Sequence, residues 1–167
     1  MRPYKTYEPI TELRFKRHGE FAVTTAPFLF EFMGRVFRIE SGYWFDGASI
    51  PRVLHWWEKP FAWWIVEGAA GHDYLYQHYA FRHNYILDKD GLRPLTRYEM
   101  DQCFLGGMIW TIRHSKKTKC RKYRLILRAR TAYKAVRRLG WICIGDGLGD
   151  YADDLEEYIK QTEEGWA

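Results

Sequence analysis

Hydrophobic and polar positions divide the chain into two regimes. From residue 11 to 45 the chain reads as strands: "TELRFKR" alternates apolar and polar residues, and "FAVTTA", "FLFEFM" and "RVFRIE" follow. A period of two is that of strands with one buried face. His18-Gly19 reads as a turn, Gly34 separates two strands as in a hairpin, and Ser41-Gly42 closes an antiparallel meander. From Ser49 onward the period changes to that of helices. Pro51 suits a first helical turn, and Pro60 ends one short helix and starts the next, expected over residues 61–81. Thr96 followed by Glu99 is a capping-box signature for a further helix through "RYEMDQCFLGGMIW". A long helix is expected from Lys119 to Leu139, stopping at Gly140, with Leu125, Ala129, Ala132, Val136 and Leu139 on one stripe. "DYADDLEEYIKQ" closes the chain as a short acidic helix.

These elements define an α+β fold, an N-terminal antiparallel β-meander packed on a helical bundle. With 167 residues and no repeat or linker, one domain covers residues 1–167. Its parts are the meander (11–45), a helical part (49–140) and an acidic tail (146–167).

Composition changes the picture in three places. Eighteen per cent of residues are aromatic, enough for a compact core from a short chain. The net charge of +5 is unevenly spread: eleven Lys or Arg and no acid lie between Lys116 and Arg138, while eight acids and one base follow from Asp146 to Glu164. Such a basic helix either pairs with the acidic tail or faces phosphate, and it lacks the interleaved aromatics of a nucleic-acid platform. Three cysteines without a C-x-x-C spacing exclude a disulfide framework and a zinc ribbon. No apolar run is long enough to span a bilayer, although the doublets Trp56-Trp57 and Trp63-Trp64 would suit peripheral contact with a lipid interface.

Candidate chemistry centres on "EGAAGHDYLYQHY", where glycines and alanines precede a His-Asp pair. Gly68 and Gly71 each cost a helix about 1 kcal/mol relative to Ala, so something must come close to this face, a neighbouring helix or a substrate. His72 shares its face with Gly68 and Tyr76, whereas Asp73 points about 100° away and is available for a cation. Asp101 lies in an otherwise apolar stripe of the following helix and wants a partner; Gly106-Gly107 would let that helix approach His72. Asp46 and Ser49 stand where the last strand passes to the first helix, and Ser49 reads as an N-cap or as a nucleophile served by His72.

"HDYLY" resembles the H-D-x-x-Y helix of phospholipase A2 enzymes, and "MDQCF" resembles the segment around the aspartate of their second helix. The resemblance implies His72 as the base, Asp101 as the group orienting it, Tyr76 in their network and Asp73 as a calcium ligand. The glycine-rich calcium loop of that family is absent, its place taken by "FDGASIPR", and so are its disulfides. A resemblance over residues 45 to 108 is to an uncharacterised family of small phage and prophage proteins, with a D-G-A-S-x-P loop, an H-D-x-L-Y helix and an A-D-x-x-F helix. Met100 stands here in place of that alanine. It implies that Asp46, Ser49, His72, Asp73 and Asp101 form one constellation, in a protein of the host bacterial cytoplasm or the virion. Two functions fit. One is a phage-encoded hydrolase with a His72/Asp101 dyad acting on an ester or phospholipid, with Ca²⁺ or another divalent cation on Asp73 and Asp46. The other is a non-enzymatic structural or interaction protein, bound to a phage or host protein, in which the polar cluster is a staple.

Overall fold

The computed structural model describes residues 7–18, 21–45, 62–78 and 95–143, with side chains as far as Arg138. Within them six strands and three helices give the expected α+β architecture. The strands are β1 (Tyr7–Pro9), β2 (Phe15–His18), β3 (Phe21–Thr24), β4 (Phe28–Phe32), β5 (Arg35–Ile39) and β6 (Trp44–Phe45). The helices are α1 (Val66–His78), α2 (Arg97–His114) and α3 (Lys119–Cys143). The short helix expected after Pro51, the segment 84–94 and the acidic C-terminal segment lie outside the described residues.

The strands divide into two antiparallel sheets of three, ordered β1-β4-β5 and β2-β3-β6. The alternating pattern reveals strands but not partners: β1 lies against β4, and β6 returns to β3. Thr24 fastens that return. Its buried hydroxyl donates to the Glu40 carbonyl at 2.7 Å and accepts from the Tyr43 amide at 2.9 Å. The hairpin between β4 and β5 turns through Met33 and Gly34, both at positive φ (55° and 75°). Positive φ at both central positions is the geometry that matches strand twist, and glycine supplies one of them without strain.

Phe28, Phe30 and Phe32 of β4 and Phe37 and Ile39 of β5 point inward and are fully or almost fully buried. Phe30 stacks on Phe28, Phe37 and Tyr7 with ring centroids 5.3 to 5.6 Å apart. Truncating any of these to Ala would cost about 3–5 kcal/mol, because the cavity adds to the lost transfer energy. The same cluster receives the helices, since the Phe30 ring lies beside Gly71 of α1 and Cys103 of α2.

Helix α2 opens as its sequence requires. The Thr96 hydroxyl accepts from the Glu99 amide at 3.1 Å, and the Glu99 carboxylate accepts from the Thr96 amide at 2.8 Å. α1 begins at Val66, after a turn at Trp63–Ile65, and is described as far as His78. α3 passes through Gly140 to Cys143 instead of stopping there. One glycine costs a helix about 1 kcal/mol, which slows propagation without barring it.

α1 and α2 cross with backbones in contact. A Cβ on Gly107 would stand 2.5 Å from the Gly68 Cα, and one on Gly68 would stand 2.6 Å from the Phe104 carbonyl oxygen. A neighbouring helix, then, is what approaches the small residues before His72.

Candidate functional site

The α1–α2 crossing brings His72 to Asp101. On α1, His72 and Tyr76 are four residues apart and share one face. The His72 Nε2–H donates to Asp101 Oδ1 at 3.0 Å, and the Tyr76 hydroxyl donates to the same oxygen at 2.9 Å. The second carboxylate oxygen faces α3: Arg137 Nη1 donates to Oδ2 at 3.0 Å, and Arg97 Nε lies 3.9 Å from it. Asp101 is 0% exposed and His72 6%. A buried carboxylate without partners would be costly, and this one gathers all three helices instead.

The His72 ring is enclosed by Tyr76 and Phe104, with centroids 4.5 and 5.5 Å away. Its other nitrogen, Nδ1, lies 3.4 Å from Asp73 Oδ1. Adjacent helical residues project about 100° apart, yet the Nδ1 edge of the ring turns back far enough to meet the neighbouring carboxylate. Burial by itself would lower the His72 pKa. Hydrogen bonds and charge from Asp101 and then Asp73 outweigh it and raise the pKa to about 9. Burial would raise the Asp101 pKa, but His72, Arg137 and Tyr76 hold it below its ordinary value. Tyr76 is pushed up, first by burial and then by the Asp101 charge, so its phenol stays a donor.

At neutral pH the ring is therefore an imidazolium between two carboxylates. Its Nε2 proton is committed to Asp101, and its Nδ1 proton faces the Asp73 carboxylate. Releasing that proton gives a base whose conjugate acid is stabilised by Asp101, the arrangement general-base catalysis requires.

Of the residues expected from sequence, His72, Asp73, Tyr76 and Asp101 come together. Asp46 and Ser49 lie outside the described residues, as does the D-G-A-S-x-P loop. Among the described residues no three His, Cys, Asp or Glu side chains are grouped to hold a metal ion. Asp73, turned toward the imidazole, thus does not fit the calcium role with the described side chains alone.

Arg137 is the member that sequence reasoning missed. It sits in a run of bases that reads as a solvated face, but it follows Val136 of the apolar stripe and so lies at the stripe's edge. Its guanidinium also stands 5.5 Å over the Tyr98 ring, and its carbonyl accepts from Arg97 Nη2 at 3.1 Å. Gln102 donates to the Tyr133 hydroxyl along the same seam between α2 and α3.

A small α+β protein with a buried His–Asp–Tyr–Arg cluster across three helices is the class these features define. The family model described as "Protein of unknown function (DUF1353)" matches residues 23–125, and the chain belongs to that family. The match takes in the end of β3, the whole of β4, β5 and β6, α1, α2, the start of α3 and thus His72 and Asp101. No curated protein and no solved structure matches the chain.

Proposed function

We propose that the protein is a phage-encoded hydrolase of the phospholipase type, with His72 as the base that activates water against an ester. The observation that carries this reading is the choice of ring nitrogen: Asp101 takes Nε2, with Tyr76 on the same oxygen, while Nδ1 lies against Asp73, so a reacting water reaches Nδ1 once the Asp73 carboxylate turns aside. In the proposed step the water oxygen attacks the ester carbonyl carbon while its proton passes to Nδ1. Asp101 stabilises the imidazolium, and that proton then passes to the leaving alkoxide as the C–O bond breaks. Arg137 and Tyr76 act as positioning residues, holding Asp101. A cation on Asp73 would need ligands such as Asp46 from outside the described residues. Phospholipid is the proposed substrate class on the "HDYLY" resemblance, with the host cytoplasm or the virion as the place of action.

A second reading is favoured by the burial of His72 and by its pKa of about 9. In it the cluster is a staple between helices, in a structural or interaction protein whose partner is a phage or host protein. One experiment separates the two: hydrolysis of phospholipid vesicles and of an activated ester by wild type and His72→Asn, from pH 6 to 10, with melting curves for both. The hydrolase reading expects a rate that climbs until about pH 9, as the neutral ring forms, and falls about 100-fold or more in the variant. A wild-type rate equal to that of the variant at every pH rejects it and leaves the staple.

A further inference from the structure

Helix α3 has a second face that the Asp101 cluster does not use. Leu125, Ala129, Ala132 and Val136 are buried against the rest of the molecule. On the opposite side Tyr123, Leu127, Arg130 and Lys134 follow one another at spacings of four, three and four residues, a stripe about 16 Å long. Tyr123 is 65% exposed and Leu127 45%, while Arg124, Arg130 and Lys134 are exposed around them. No acidic residue occurs in the helix. Just before its first turn, Lys117 lies 5.9 Å over the ring of Trp63, itself 43% exposed.

We propose that this face of α3 docks the protein on an anionic lipid surface. Clustered Lys and Arg with no intervening acid complement a layer of phosphate headgroups, and each such charge near the surface strengthens binding by about fivefold. The apolar side chains decide between lipid and nucleic acid. An isobutyl group such as Leu127 gains nothing against a phosphodiester backbone, but it gains burial at the boundary between headgroups and acyl chains. A tyrosine amid long basic side chains suits the same boundary, where its ring is buried and its hydroxyl stays wet. This docking stands whether or not His72 is catalytic.

The test is flotation of the full-length protein with vesicles of ether-linked lipids, which no esterase can cleave, so that binding is read apart from turnover. Vesicles of ether-linked phosphatidylcholine alone are compared with vesicles that also contain ether-linked phosphatidylglycerol. Binding is expected to the anionic vesicles, to weaken as salt rises, and to be absent from the zwitterionic ones. Reversing three charges together (Arg124→Glu, Arg130→Glu, Lys134→Glu) should weaken it by more than about 100-fold, the loss expected from removing the three charges alone. Tyr123→Ser with Leu127→Ser should weaken it about 10-fold with the charges intact. Both variants change exposed side chains, and an unchanged melting temperature confirms that they fold. Three results overturn the proposal: no flotation with anionic vesicles, wild-type flotation of the charge-reversed variant, or tighter binding to a 20-base-pair duplex (about two turns of DNA) that ignores Tyr123→Ser and Leu127→Ser.

Discussion

The two places where the helices are joined obey different physics. At the α1–α2 crossing Gly68 meets Gly107 with backbones in contact. The attraction there is dispersion and burial, without direction or charge, and it depends on having no side chain in the way. At Asp101, nearby on the same α2, the join is made by directed polar contacts from His72, Tyr76 and Arg137 to one carboxylate. The first join tolerates any pH and almost no added volume. The second tolerates small movements but depends on the protonation of its members. A molecule with both can place a buried charged pair accurately, because the glycines set the distance that the hydrogen bonds then use.

The largest effect should come from the polar join. Asp101→Asn removes the negative charge facing the His72 ring and Arg137, and Asn presents an N–H₂ donor where one of them also donates. Breaking a buried pair from one side costs about 3–5 kcal/mol, to be measured by urea unfolding at pH 6. An intact stability would mean that Asp101 is not the anchor of the three helices. The apolar join comes next. Gly107→Ala places a methyl group against the Gly68 backbone, and the clash should exceed the helix propensity gained, with a net loss of about 2 kcal/mol. A gain in melting temperature would show that the two helices can part without loss.

pH separates the two joins most cleanly. The His72 pKa is raised in the fold to about 9, so its contribution to stability is fully present below the unfolded value of about 6.5 and is lost as pH rises through 9. Between pH 7 and 9 the wild type should lose about 2 kcal/mol through this residue. His72→Asn should flatten that slope, whereas Gly107→Ala should lower the whole curve and leave the slope unchanged. Equal slopes in wild type and His72→Asn would mean that the ring is not held as an imidazolium.

Much of this was legible in the chain. Alternation in "FLFEFM" and "RVFRIE" marks β4, β5 and their hairpin, because the period of side chains on a strand is local. The Thr96–Glu99 box marks the start of α2 for the same reason: all its atoms lie within one helical turn. The His72–Asp101 contact was legible less directly, from glycines that weaken two helices and an acid stranded in an apolar stripe. Arg137 was not. Whether a base at the edge of a stripe faces water or a carboxylate depends on where another helix lies, and local period carries no such information.

Sequence by itself determined the element types, the α+β class and the helix faces that had to be close, since propensity, capping and hydrophobic period act over a few residues. Tertiary structure decided the pairing of the strands into two sheets, the choice of Nε2 for Asp101 and the recruitment of Arg137. It also decided the ionised state of His72. Each of these depends on distances between residues far apart in the chain, and electrostatic energies inside a protein follow those distances and the exclusion of water, not the order of residues.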